Sequence, residues 1–551
     1  MKRPTKCCVL ILAATVVALA LRAPRLERRP MHGDEAVHAD KFGDLLEKGV
    51  YTYDPNEYHG PSLNYFTLIP AKLFSLSSFV QVNEFTLRIV PVFFGVLVVL
   101  LLLLLIDGLG RGAAAYAALL TALSPAMVFY SRYYIQEMLL VCFTFGVIVS
   151  GYRYAVSGKG GWIVGAGVFL GLMHATKETC VIALGCMFLA LLVTMLLHGR
   201  ESGSALRPFR EVKLWHIGAG IVAAALVSAV FFSSFFTNPG GILSSLATYA
   251  TYLDRAGNNP IHIHPWHYYL QMLVYSRYAD GPVWTEVLIV LLAAVGFAAV
   301  MTKRGIGGAD VNLLRFIAFY TAAMTVLYSA IPYKTPWCLL GFLHGMILLA
   351  GLGAVVLVRL APNVLPRLII LCALVEASGH LAWQSYLASY RYYADSRNPY
   401  VYAHPTEDVF VLARCVEEAA RVHPQGYGMK VQVICPGHDY WPIPWYLRRF
   451  DEENSVYWWD RVPGPNEPLS QIPAAPVIIA SPKVQEALTK WLSEWIWVKT
   501  PFEERQMYLP LFDNPYYLWL RPKVELTGFV RKDLWDGMQP PDGADELIGN
   551  R

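Results

Sequence analysis

Charge is scarce in this chain. Lys, Arg, Asp and Glu make up 16% of its 551 residues, against about 25% in soluble globular domains. That deficit excludes a body solvated by water over most of its surface. No run of Lys or Arg stands out and the formal net charge is only +4, so nucleic acid is excluded as a partner. Cysteine supplies no framework either. Cys7, Cys8, Cys142, Cys180, Cys186, Cys338 and Cys372 fall in or beside apolar segments, where Cys behaves as a small hydrophobe. Only Cys415 and Cys435 lie in polar sequence, where an oxidising compartment would let them pair. There is no internal repeat and no low-complexity tract.

What is abundant is apolar sequence, at 55% of the residues. A hydrocarbon core about 30 Å thick takes about 20 apolar residues in a helix. Candidates occur near 5–22, 88–106, 113–130, 134–152, 161–176, 179–197, 214–235, 283–301, 315–331, 338–358 and 368–387, about eleven in all. The first follows Lys2, Arg3 and Lys6 as a signal peptide would, but LRAPRLERRP after it offers no small-x-small cleavage site, so it reads as a retained helix. Basic residues set the threading. Arg111, Arg153, Lys159, Arg200, Arg207, Arg210, Lys213, Lys303, Arg304, Arg315, Arg359 and Arg367 share the loops on the side of the N-terminus. This places the N-terminus in the cytoplasm of an inner-membrane protein and the C-terminus outside. Residues 1–388 then form the membrane domain and 389–551 an extracytoplasmic domain. In the latter, MKVQVICPG reads as a strand and APVIIASPKVQEALTKWLSEW as a strand followed by a helix, which suits an α/β fold.

Two outer loops are long, 23–87 and 237–282. The first holds two expected helices, 34–48 and an amphipathic one at 62–76 suited to the membrane surface. With this threading the conspicuous polar groups fall on one face: Asp34, Glu35 and His38; His59; Arg132 and Glu137; Lys177 and Glu178; His262, His264 and His267; and Lys334. Ionisable groups near membrane depth are costly and mark functional sites by default. A carboxylate there can take a proton from an attacking hydroxyl, and cations can neutralise a phosphate. The mixture suits transfer of a group from a lipid phosphate. Bland readings coexist: Asp34 and Glu35 as acids complementing a helix dipole, Lys177 and Lys334 as lysines reaching the interface. The three histidines either ligate a divalent metal or belong to an aromatic loop.

The motifs HGDEAVHA, YHGPSLNYF, SRYYIQEM, HATKE, YKTPWCLL and DYWPIPWYLR together resemble the GT-C glycosyltransferases. The resemblance is to family 39, with the protein O-mannosyltransferases and the aminoarabinose transferases, and within it to the branch called flippase-activity-associated proteins. It implies a polytopic helical GT-C fold and a polyprenyl-phosphate sugar as donor, usually with inversion at the anomeric carbon. It makes Asp34 the catalytic base or an acceptor-binding carboxylate, with Glu35 as partner and Glu137 as an organising acid. His38, His59, Arg132, Lys177, Glu178 and Lys334 would bind substrate. The C-terminal domain lacks the repeats expected of a protein O-mannosyltransferase, so the acceptor is left open among glycan, lipid and protein. No cofactor is required, because phosphate departs as a stable anion. A divalent metal at His262, His264 and His267 stays open. The competing expectation is a non-catalytic protein that translocates lipid-linked sugar.

Overall fold

A computed structural model describes residues 6–54, 59–202, 212–258, 262–450, 455–464, 467, 472–513 and 515–538. The chain divides into two compact units. The first comprises Met1–Glu27, Lys41–Ser78 and Val82–Tyr402; the second comprises Arg28–Asp40, Phe79–Gln81 and Ala403–Arg551. The second unit therefore takes in the acidic pair as well as the C-terminal sequence, and its main segment starts at residue 403 rather than at 389.

The first unit is helical because its apolar runs leave the backbone no partner but itself in lipid. Seven described helices are long and apolar enough to cross a membrane: Glu84–Leu109, Glu137–Ser157, Cys180–Glu201, Leu214–Phe232, Val311–Ala330, Pro336–Leu360 and Val364–Arg391. Four of the eleven expected spans are shorter or broken among the described residues. Lys6–Arg22 has 17 residues, and Gly160–His174 and Val287–Thr302 have 15 and 16. The run at 113–130 breaks into Arg111–Leu123 and Pro125–Tyr130. Pro125 has no N–H to continue the first helix and forces Ser124 out of helical geometry, so Ser124 (ψ 122°) caps the second. The loop at 237–282 is also more ordered than its composition signals, with helices at Gly240–Asn258 and Tyr268–Val274.

Burial sorts these helices. Pro336–Leu360 is the most enclosed, whereas Leu214–Phe232 and Val364–Arg391 turn most of their apolar side chains outward, as lipid-facing helices do. Small residues permit the tightest crossings. A Cβ on Gly296 would lie 2.1 Å from Leu349 O, and one on Gly353 would lie 2.0 Å from Leu292 O. Three buried arginines knot the end of the first helix. Arg22 donates to Thr121 O, Ala122 O and Ser131 Oγ; Arg88 donates to Leu26 O; Arg132 donates to Arg22 O, Pro24 O and Arg25 O. Glu286 is a comparable node. Fully buried, it accepts from the Ser124 and Tyr400 hydroxyls and from the Ala126 N–H.

The second unit is built on a mixed sheet. Its strands are β1 (Val431–Ile434), β2 (Val456–Trp459), β3 (Val477–Ala480), β4 (Tyr508–Pro510), β5 (Tyr517–Arg521) and β6 (Val524–Arg531), in the order β2-β1-β3-β6-β4, with β5 also on β6. β1 pairs in parallel with β2 and β3, and β6 runs antiparallel to its neighbours. The fully buried runs VQVI and VIIA mark β1 and β3 as central, because strands covered on both faces read as continuous apolar stretches. Helix Gln485–Glu494 follows β3, as its sequence predicts, and packs Leu488, Trp491 and Leu492 on Ile434, Trp459 and Ile478. Cys415 and Cys435 are both free thiols.

Candidate functional site

In the second unit the two adjacent acids part company. The helix Gly33–Lys48 starts beneath them. Glu35 is fully buried; its Oε1 takes a 2.8 Å ion pair from Arg29, and its Oε2 accepts the His32 N–H at 3.0 Å. A glutamate reaching back three residues to an unpaired N–H is half of a capping box, so Glu35 secures the helix start. Asp34 is different. Its side chain is 51% exposed, and its N–H donates to His32 Nδ1. The carboxylate is left facing solvent. Nearby in the same unit, Met31 N–H donates to the Tyr446 hydroxyl and the His32 ring lies against His404. His38 is buried.

In the first unit a cluster forms around the turn between Gly160–His174 and Cys180–Ser202. Glu137 opens the helix Glu137–Ser157, where its charge complements the helix N-terminus. It pairs with Lys177, both side chains being under 10% exposed. Burial alone would pull the Lys177 ammonium down, but Glu137 holds it well above its usual range. One residue on, Glu178 accepts from His59 Nδ1 at 2.9 Å and from the Tyr53 hydroxyl at 3.1 Å. Burial pushes the Glu178 carboxyl up, yet His59, a backbone N–H and Lys177 bring it below the usual range. Burial, reinforced by Glu178, drives the Tyr53 phenol upward, which keeps it a donor.

The sequence around His59 explains why it arrives there. Ser62 N–H donates to Ala175 O at 2.9 Å, and the Ser62 and Thr176 hydroxyls are bonded at 2.7 Å. Gly60 lies so close that a Cβ would come 2.3 Å from Ala175 O. Only glycine permits that approach, and the approach sets His59 beside Glu178.

Lys334 is placed by a short antiparallel bridge. His264 N–H donates to Pro332 O, and Lys334 N–H donates to His262 O. The buried Lys334 ammonium donates to Ile331 O and His264 O, and among the described residues no carboxylate pairs with it. Burial lowers its affinity for the proton. The histidines do not gather as metal ligands. His262 Nδ1 and His264 Nε2 flank the Tyr402 hydroxyl at 2.7 and 3.4 Å, while His267 begins the helix Tyr268–Val274. Among the described residues no three His, Cys, Asp or Glu side chains are grouped to hold a metal. The bridge at Ile263 and Tyr333 sets His262 and His264 on the same side, where they share the Tyr402 hydroxyl.

Thus the structure joins Glu137 to Lys177 and His59 to Glu178. It commits Glu35 to Arg29, and it spends Arg132 on carbonyls at the end of Lys6–Arg22 rather than leaving it facing a cleft. Sequence reasoning missed Tyr53, Arg29 and Glu286. Of these only Arg29 left a signal, in the spacing of basic and acidic residues around the start of a helix.

Buried ion pairs at helix ends, in a bundle whose helices are long and apolar enough to cross a membrane, mark an integral membrane protein. The comparisons narrow that class. Residues 58–232 match the family described as dolichyl-phosphate-mannose-protein mannosyltransferase, a stretch that holds His59, Arg132, Glu137, Lys177 and Glu178. The chain is similar to ArnT from Cupriavidus metallidurans bound to undecaprenyl phosphate, with 14% identity over 94% of this chain and 97% of that one, and a TM-score of 0.61. It is also similar to the apo oligosaccharyltransferase of Archaeoglobus fulgidus, with 13% identity over 90% of this chain and 71% of that one, and a TM-score of 0.52. No curated protein matches the sequence. The fold is that of the GT-C glycosyltransferases, as the motifs led one to expect.

Proposed function

We propose that this protein transfers a sugar from a polyprenyl-phosphate donor to an acceptor outside the cytoplasm of an inner (cytoplasmic) membrane, with its N-terminus inside. The observation that carries this reading is the cluster of Glu137, Lys177, His59 and Glu178 within the family match. It is a preorganised, hydrogen-bonded set of charges at the ends of helices long and apolar enough to cross a membrane, its two carboxylates answered by Lys177 and His59. Support for the lipid-linked donor comes from the undecaprenyl phosphate held by the similar ArnT.

The roles follow from the local chemistry. Among the described residues the buried Lys334 ammonium has only carbonyl partners, so an anion is the partner that would complete its charge balance. Held charges of this kind stabilise a departing phosphate without reorganisation. Glu178 fixes the His59 ring through Nδ1, which directs Nε2 away from the carboxylate. Asp34, exposed where Glu35 is locked, is the base that accepts the acceptor hydroxyl's proton as the sugar–oxygen bond forms and the sugar–phosphate bond breaks.

The test uses the purified full-length protein in liposomes containing a polyprenyl-phosphate sugar, supplied in turn with glycan, lipid and peptide acceptors that carry free hydroxyls, with release of polyprenyl phosphate as the readout. Turnover that stops in Asp34→Asn supports the reading. Binding and leaflet exchange of the donor with no turnover in any condition would refute transfer and favour a translocator.

A further inference from the structure

Two cavities inside the helical unit share part of their walls. The first, about 30 Å³, is lined by Glu137, Lys177, Thr179, Tyr320 and Tyr328 among others. The second, about 10 Å³, has mostly apolar walls, into which Thr144, Tyr320 and His344 bring the polar side chains. Val141, Thr144, Tyr320 and Gly341 line both. Thr144 lies two turns into the helix that Glu137 opens, so the polar track runs about 10 Å into the bundle.

The second cavity presents an unresolved polar problem. The Tyr320 hydroxyl and His344 Nε2 are buried, and neither has a hydrogen-bond partner among the described residues. His344 sits in Pro336–Leu360, the most enclosed of the candidate spans. Phe145 meets its ring edge-on at 4.6 Å and offers no acceptor. Buried polar groups in folded proteins are almost always satisfied, by protein or by ordered water. Purely apolar cavities stay dry, but one that offers roughly 10–15 Å³ and holds two or more unsatisfied polar atoms takes water, and here the Tyr320 hydroxyl and His344 Nε2 are those atoms. The lower cavity has room for a single molecule and the upper one for slightly more.

We infer that this track is a water-binding site. One water bridges the Tyr320 hydroxyl and His344 Nε2, and water above it joins Tyr320 to the Glu137–Lys177 pair. The ion pair is then solvated from inside the bundle as well as from its mouth, and His344 is tied to it through solvent rather than through side chains. The same geometry explains why a histidine is tolerated between apolar helices.

The experiment is a double-mutant cycle on the full-length protein, using Tyr320→Phe and His344→Leu with thermal unfolding as the readout, together with a density map sharp enough to show ordered solvent. If one water serves both groups, each single substitution lowers the melting temperature and the double substitution lowers it no further than the worse single. The map shows a solvent peak between the two side chains. Additive losses, a rise in melting temperature for His344→Leu, or a map with no peak there would overturn the inference. Should His344→Leu fail to fold, Tyr320→Phe and the map decide the matter. None of these readouts involves sugar transfer, so their outcome is separate from that of the proposed activity.

Discussion

Asp34 and Glu35 are neighbours in sequence, and their substitutions should fail in opposite ways. Asp34→Asn preserves shape and the N–H bond to His32 Nδ1, and the carboxylate it removes is half in solvent. Its effect on stability should stay within about 0.5 kcal/mol, the range of ordinary surface changes. Its effect on transfer should be large, since a positioned base contributes about 10²–10⁴-fold, or about 2.7–5.4 kcal/mol of barrier at about 1.36 kcal/mol per decade. Glu35→Gln removes the charge that answers Arg29 inside the protein. Breaking a buried pair by neutralising one partner costs about 3–5 kcal/mol, so this variant should unfold early and yield little protein. Melting by intrinsic fluorescence and turnover of a lipid-linked donor, measured on the same preparations, separate the two. Full turnover by Asp34→Asn would end its assignment as the base. Equal destabilisation by both substitutions would refute the division of labour between the two acids.

Gly60→Ala should lower the melting temperature and abolish transfer together, because the added methyl meets Ala175 O and must push His59 off Glu178; normal turnover would show that this contact is dispensable. Lys177→Met should cost about 3–5 kcal/mol by stranding the Glu137 charge, and Glu137→Leu combined with Lys177→Met should recover most of that in the melting temperature. Glu178 has a depressed folded-state pKa, so its contribution to stability is present above the ordinary glutamate value and is lost as pH falls through the lower folded value. Melting curves should therefore hold level from neutral pH down to about 4.5 and decline below it, with a shallower decline in Glu178→Gln. Lys334→Met should weaken donor use at sub-saturating concentrations with little change in melting temperature, as read from turnover against donor concentration.

The spans were legible because run length is a local property, and 214–235 or 338–358 needs no partner to be recognised. The breaks were less so. Pro125 interrupts a run whose average composition still passes for a span, and only the Ser124–Pro125 pair carries the message. Glu35 was readable in principle: a glutamate three residues beyond an N-terminal turn is a capping signal, but adjacent acids draw attention to chemistry first. The link between His59 and Glu178 crosses 119 positions, and no spacing rule reaches that far. The histidines stayed ambiguous in sequence, metal ligands or part of an aromatic loop, because their spacing of two and three residues suits both; what decides their surroundings is Tyr402, 138 and 140 positions away, whose hydroxyl His264 and His262 share.

The bonds between the His59–Ser62 stretch and residues 175–176 have a mechanical corollary. Two loops whose main chains touch cannot hinge independently, so whatever displaces one drags the other, and with it the carboxylates and the ammonium beside them. This seam cannot be prised apart without disturbing the His59–Glu178 and Glu137–Lys177 pairs together, so any movement in this part of the chain has to come from elsewhere.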